Sequence, residues 1–120
     1  MRAAAVGIGS NSTRMLAAEI GAGQIAPFLR LREDTRLFSG LENGALSAER
    51  MMHTAAAAAA LVERARVEGC ETLRLFATSA TRDAKNGAEF CELVEALCGA
   101  ETAARIAAQV VWNGEEASHD

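Results

Sequence analysis

Glycine-containing breaks cut the opening of the chain into three apolar runs, and that pattern narrows the fold more than any other feature. Ala3 to Ile8 is apolar, Thr13 to Ile20 resumes after Gly9-Ser10-Asn11-Ser12, and Gln24 to Leu31 follows Gly21-Ala22-Gly23. Short apolar runs separated by such turns predict a meander of three strands. Pro27 suits an edge strand, because it cannot donate to a central ladder. Arg32 to Gly44 is polar connection. Ser47 then caps a helix that runs to about Glu68 and stops at Gly69, with Arg50 where a capping box would place Glu. The alanine run Ala55 to Ala60 belongs to that helix.

Beyond the helix, Leu73 to Thr78 alternates briefly and reads as a strand, and Ser79 to Gly87 as a small-polar loop containing Arg82. Glu89 to Leu97 is a short amphipathic helix ended by Gly99. Ile106 to Trp112 reads as a further strand, followed by Asn113-Gly114-Glu115-Glu116-Ala117. Three strands, helix, strand, helix, strand is an α/β pattern with a mixed sheet.

The 120 residues suffice for one domain with a real core. A formal net charge of −4 argues against a non-specific nucleic-acid binder. The N-terminus lacks the charged and long apolar regions of a signal peptide, and no stretch reaches the length of a membrane span, so a cytoplasmic protein is expected. Cys70, Cys91 and Cys98 form no CxxC pair and read as reduced thiols used as small apolar residues. His53 and His119 have no ligand spacing to them, which argues against zinc.

The run Gly9-Ser10-Asn11-Ser12-Thr13-Arg14 is the first candidate for chemistry. Gly9 lets the backbone turn and lets a ligand approach without a Cβ in the way. Ser10, Asn11 and Ser12 offer short donors beside backbone N–H groups, and Arg14 adds a planar fork matched to phosphate oxygens. The same residues also suit an ordinary hairpin turn, and both readings stand on the hexapeptide alone. The segment Ser79-Ala80-Thr81-Arg82 likewise follows a strand, and strand ends are where α/β sheets bind ligands. Taken by themselves, Arg82 fits a surface ion pair and Glu115-Glu116 a solvated first helical turn.

The chain resembles the exopolyphosphatase and guanosine pentaphosphate phosphatase (Ppx/GppA) family. Its members open with a strand and Asp-x-Gly-Ser-Asn-Ser, commonly followed by Arg; here the segment is Gly7-Ile8-Gly9-Ser10-Asn11-Ser12-Thr13-Arg14. Thr35-Arg36-Leu37, Gly40-Leu41 and Ala45-Leu46-Ser47 match the stretch before the family's first helix. The run from Ala77-Thr78-Ser79-Ala80-Thr81-Arg82 to Asn86-Gly87 and the triplet Glu115-Glu116-Ala117 match two further motifs.

The resemblance implies a ribonuclease-H-like (actin-like ATPase) domain, incomplete over residues 1–120, with a second lobe and its Asp-x-Gly-Gly-Gly-Ser loop beyond Asp120. It implies a phosphohydrolase that releases terminal phosphate from inorganic polyphosphate, or the 5′-phosphate of guanosine pentaphosphate, with Mg²⁺. Glu116 then corresponds to the catalytic base (and a possible metal ligand), Arg82 to a catalytic phosphate-side arginine, and Gly9, Ser10, Asn11, Ser12 and Arg14 to the phosphate loop. A homodimer is implied for the full-length protein. With one lobe only, the chain is expected to hydrolyse little, since half a cleft cannot shut out bulk water.

Two departures stand out. Gly7 takes the place of the family's Asp, and Trp112-Asn113-Gly114 replaces the usual residues before the glutamates. Glycine supplies neither charge nor acceptor, which motivates an alternative reading, a catalytically reduced phosphate- or nucleotide-binding sensor. A sugar- or acetate-kinase-like ATPase fragment is a third reading, which the Ala-Thr-Ser-Ala-Thr-Arg and Glu-Glu-Ala motifs fit less well.

Overall fold

The computed structural model describes residues 1–99, apart from the side chains of Ser79 and Arg82. Strands β1 (Arg2–Ile8), β2 (Thr13–Gly21) and β3 (Gln24–Glu33) form the expected meander. Helix α1 (Ala48–Val67) leads to β4 (Thr72–Ala77), followed by the short helix α2 (Ser79–Asp83) and by α3 (Gly87–Cys98). The strand order is β3-β2-β1-β4, with β1 antiparallel to β2 and parallel to β4. The sheet is therefore mixed, as the element order implied. Residues 79–87, expected to be loop throughout, instead contain the single turn of α2, which ends where Ala84 returns to extended backbone.

Strand β1 alternates, with Ala4, Val6 and Ile8 buried toward the helices. Their register partners Met15, Ala17, Leu75 and Ala77 are buried with them, as period-two side chains on one face must be. Helix α1 buries Met51, Thr54, Ala55, Ala58, Val62 and Ala65, the one-face pattern of a helix in which residues three and four apart fall together. Small residues on both sides (Ala55 and Ala58 with Ala4 and Ala17) share one core cluster with the bulkier Phe90 and Val94 of α3. The opposite sheet face carries no helix among the described residues, and none of the described helices is long and apolar enough to cross a membrane.

Pro27 lies on the edge strand β3, beside the irregularity between Ala17 and Ala18 that shifts the β2–β3 register. Its missing N–H therefore costs no central hydrogen bond. The start of α1 follows the capping rule: Ser47 is extended, and its hydroxyl accepts from the Arg50 N–H at 3.1 Å. Ser47→Ala is expected to destabilise the fold by about 1 kcal/mol, and Ser47→Asp to retain it, in urea unfolding.

Candidate phosphate-binding site

The loop after β1 is built by backbone hydrogen bonds that leave the amides of residues 10–12 unpaired among the described residues. The Gly9 N–H donates to the Ser12 carbonyl at 2.9 Å and closes the turn. The Ser10 carbonyl accepts from the Phe38 N–H at 3.1 Å, and the Asn11 carbonyl from the Arg36 N–H at 3.0 Å. In a trans peptide the N–H points opposite to the preceding C=O. The Asn11 and Ser12 amides are thus turned away from residues 36–38. Among the described residues, the N–H groups of Ser10, Asn11 and Ser12 have no protein acceptor. Successive free amides of this kind form a concavity suited to an anion.

Gly9 serves this loop by closeness. Its φ is not positive, but a Cβ there would lie 3.3 Å from the Ser12 carbonyl oxygen. The Arg14 Nε reaches back to the Ser12 hydroxyl at 3.3 Å, so its guanidinium is held beside the loop while the residue stays exposed.

The segment behind the loop is held from two sides. The hydroxyls of Thr13 and Thr35 bond at 2.9 Å with both residues fully buried. Arg50, from the first turn of α1, donates to the Thr35 carbonyl at 3.1 Å. Arg36 adopts a φ of 49°, and its backbone rather than its exposed side chain braces the loop. The sequence by itself assigns no part in the site to Thr35, Arg36 or Arg50. The one signal for Thr35 and Arg36 is the Thr35-Arg36-Leu37 match, and Arg50 carries none.

Parallel pairing of β1 with β4 brings the second strand-end loop alongside, with the Thr78 N–H donating to the Ile8 carbonyl at 3.1 Å. Asn86 ties this region to the start of α1 through two 2.8 Å bonds to the backbone of Leu46. Arg82 lies on α2 directly after this loop, and its side chain is outside the described residues. Glu115, Glu116 and the expected strand Ile106 to Trp112 also lie outside the described residues.

A cavity of about 680 Å³ joins the loop to the helix-free sheet face, lined by Gly7, Gly9, Ser12, Arg14, Phe76 and Thr78 among others. Among the described residues no carboxylate lines it, while Arg14, Arg30 and Arg32 do. Among the described residues no group of three or more His, Cys, Asp or Glu could hold a metal ion. At Gly7 a Cβ would meet the Phe76 ring at 2.8 Å. The described residues therefore do not fit the Mg²⁺ that the family resemblance implies, since magnesium is usually held by one or two carboxylates plus substrate phosphates.

A cysteine nucleophile finds no support either. Burial pushes the thiols of Cys91 and Cys98 up, the latter partly offset by Arg66. A thiol that ionises later in the folded state contributes stability that is full below its unfolded pKa, about 8.5, and lost as pH rises above it.

A mixed sheet backed by helices, with unpaired loop amides and an arginine after its first strand, defines an α/β domain with a candidate anion site. The profile of the Ppx/GppA phosphatase family matches residues 16–119, and the chain belongs to that family. Exopolyphosphatase 2 of Mycobacterium tuberculosis is 32% identical over 121 residues, covering 97% of this chain and 38% of that protein. A crystal structure of the Aquifex aeolicus Ppx/GppA family member superposes with a TM-score of 0.75 at 32% identity, over 80% of this chain and 32% of that one. An exopolyphosphatase from Cytophaga hutchinsonii, at 17% identity and a TM-score of 0.68, shares the fold over 82% of this chain and 32% of that one. The chain thus spans roughly a third of the length of these relatives.

Thr35→Val leaves the Thr13 hydroxyl buried without a partner and is expected to cost about 1–3 kcal/mol in urea unfolding, with Thr35→Ser restoring most of it. Alkylation of Cys98 by iodoacetamide near neutral pH is expected to be slow in the folded protein and fast in urea.

Proposed function

We propose that the chain forms the phosphate-loop lobe of a phosphohydrolase acting on phosphoanhydrides. The observation that carries this reading is the set of unpaired amides at Ser10, Asn11 and Ser12 beside Arg14, those of Asn11 and Ser12 turned outward by the carbonyls engaged on the other side. These groups can neutralise the terminal phosphate of inorganic polyphosphate or of guanosine pentaphosphate. The name of the Mycobacterium tuberculosis relative supports the first substrate.

In this mechanism Glu116 takes a proton from water as the water oxygen bonds to the terminal phosphorus. The bridging P–O bond breaks, and the shortened chain leaves with its electron pair as inorganic phosphate is released. Arg82 supplies a second guanidinium for the charge that develops. A second reading, a sensor that binds phosphate chains without turnover, is favoured by Gly7 and by the lack of a carboxylate among the described residues that line the cavity.

Titrating the ¹⁵N-labelled chain with sodium tripolyphosphate is expected to move the amide resonances of Ser10, Asn11, Ser12 and Thr78. Arg14→Gln is expected to weaken binding about 10-fold or more, as loss of a charge-assisted hydrogen bond does. Loop amides that stay unmoved at saturating tripolyphosphate would overturn the assignment. Phosphate release by protein that carries the second lobe as well separates the two readings: release that falls about 10²–10⁴-fold in Glu116→Gln marks turnover, and binding without release marks a sensor.

A further inference from the structure

The helix-free face of the sheet is basic in a chain whose net charge is −4. Register places Arg14 of β2 directly opposite Arg32 of β3 on one side and Gly7 of β1 on the other. One row along, Leu16 stands between Arg30 and Ala5, and Ala5 is the partner of Arg74 on β4. Among the described residues, Arg14, Arg30 and Arg74 have no acidic partner, and Arg32 has Asp34 at 3.0 Å. Like charges directly opposite in a sheet repel, and an anion lying between them removes that penalty. The cavity that Arg14, Arg30 and Arg32 line is the one that reaches Gly9 and Ser12.

Among the described residues, the wall of the same cavity leaves no room for a carboxylate at position 7 as Phe76 stands. A Cβ on residue 7 would lie 2.8 Å from Cε2 and 3.0 Å from Cζ of Phe76. The ring stands where a side chain at the end of β1 would begin, so no carboxylate fits there while Phe76 keeps this position.

We propose that this cavity holds a phosphate chain by guanidinium charge without a divalent cation, with Gly7 and Phe76 acting as a coupled pair that keeps a metal-anchoring carboxylate out. The proposal rests on the phosphate-binding reading above and narrows its ligand to the metal-free polyanion. Magnesium bound to the phosphate chain removes the charge that the arginines recognise, so it competes with the protein.

Calorimetric titration of the chain with sodium tripolyphosphate, in EDTA and in excess Mg²⁺, tests this. Binding is expected in EDTA and is expected to weaken several-fold with Mg²⁺. The pair Arg14→Gln and Arg32→Gln is expected to weaken the EDTA value more than 10-fold. Binding that requires Mg²⁺ overturns the proposal and leaves the phosphate reading intact, whereas no binding under either condition overturns both. The double variant Gly7→Asp with Phe76→Ala, its fold checked by circular dichroism, is expected to reverse the preference and bind more tightly with Mg²⁺. A folded double variant that still prefers EDTA overturns the role given to Phe76. Should the double variant not fold, Phe76→Ala alone must remain tolerant of EDTA, and a requirement for Mg²⁺ in that variant refutes the pairing.

Discussion

Strand β1 is hydrogen-bonded along both edges, antiparallel to β2 and parallel to β4, and every element of the site takes its position from that double pairing. Buried backbone amides and carbonyls must find partners, so a strand between two others is the most constrained segment in the chain. Its small residues, Ala3-Ala4-Ala5 and Gly7, suit a place crowded from both sides. Because β4 runs parallel to β1, the loops that follow them emerge at the same end of the sheet. The phosphate-type loop and the start of α2 are neighbours for that reason, although many residues separate them along the chain.

The loop itself works through a division of its backbone groups. Carbonyls turn inward to the 36–38 segment and amides turn outward, a partition that the geometry of the trans peptide enforces. The buried Thr13–Thr35 hydroxyl pair and Arg50 keep that segment in place. Binding and stability are thereby coupled: the groups that orient the amides are among the buried polar groups whose loss costs most. Charge is divided in the same way, with arginines collected on the helix-free face and around the loop despite the acidic total.

Much of the fold was legible in the sequence because its signals are local. The turns at Gly9–Ser12 and Gly21–Gly23, the Ser47 cap and the Gly69 stop each act within a few residues, and the structure has elements where they place them. The one-turn helix α2 was missed because five residues carry too little periodicity to distinguish helix from loop. Gly9, Ser12 and Arg14 do line one cavity, while Ser10 and Asn11 contribute backbone groups to the loop. The match to the Ppx/GppA phosphatase family begins at Leu16, so the case for the loop before it rests on its own geometry.

By itself the sequence determined the order and type of the strands and long helices among the described residues, the position of the loop and the family, since these follow from periodicity, capping and short motifs. Only the tertiary structure decided what braces that loop and what stands beside it. Thr35 meets Thr13 across 22 residues, Arg50 meets Thr35 across 15, and Asn86 meets Leu46 across 40. The Phe76 ring comes against Gly7 only through the parallel register of β4 on β1. Such contacts depend on which strands pair and in what register, and no local spacing encodes that choice.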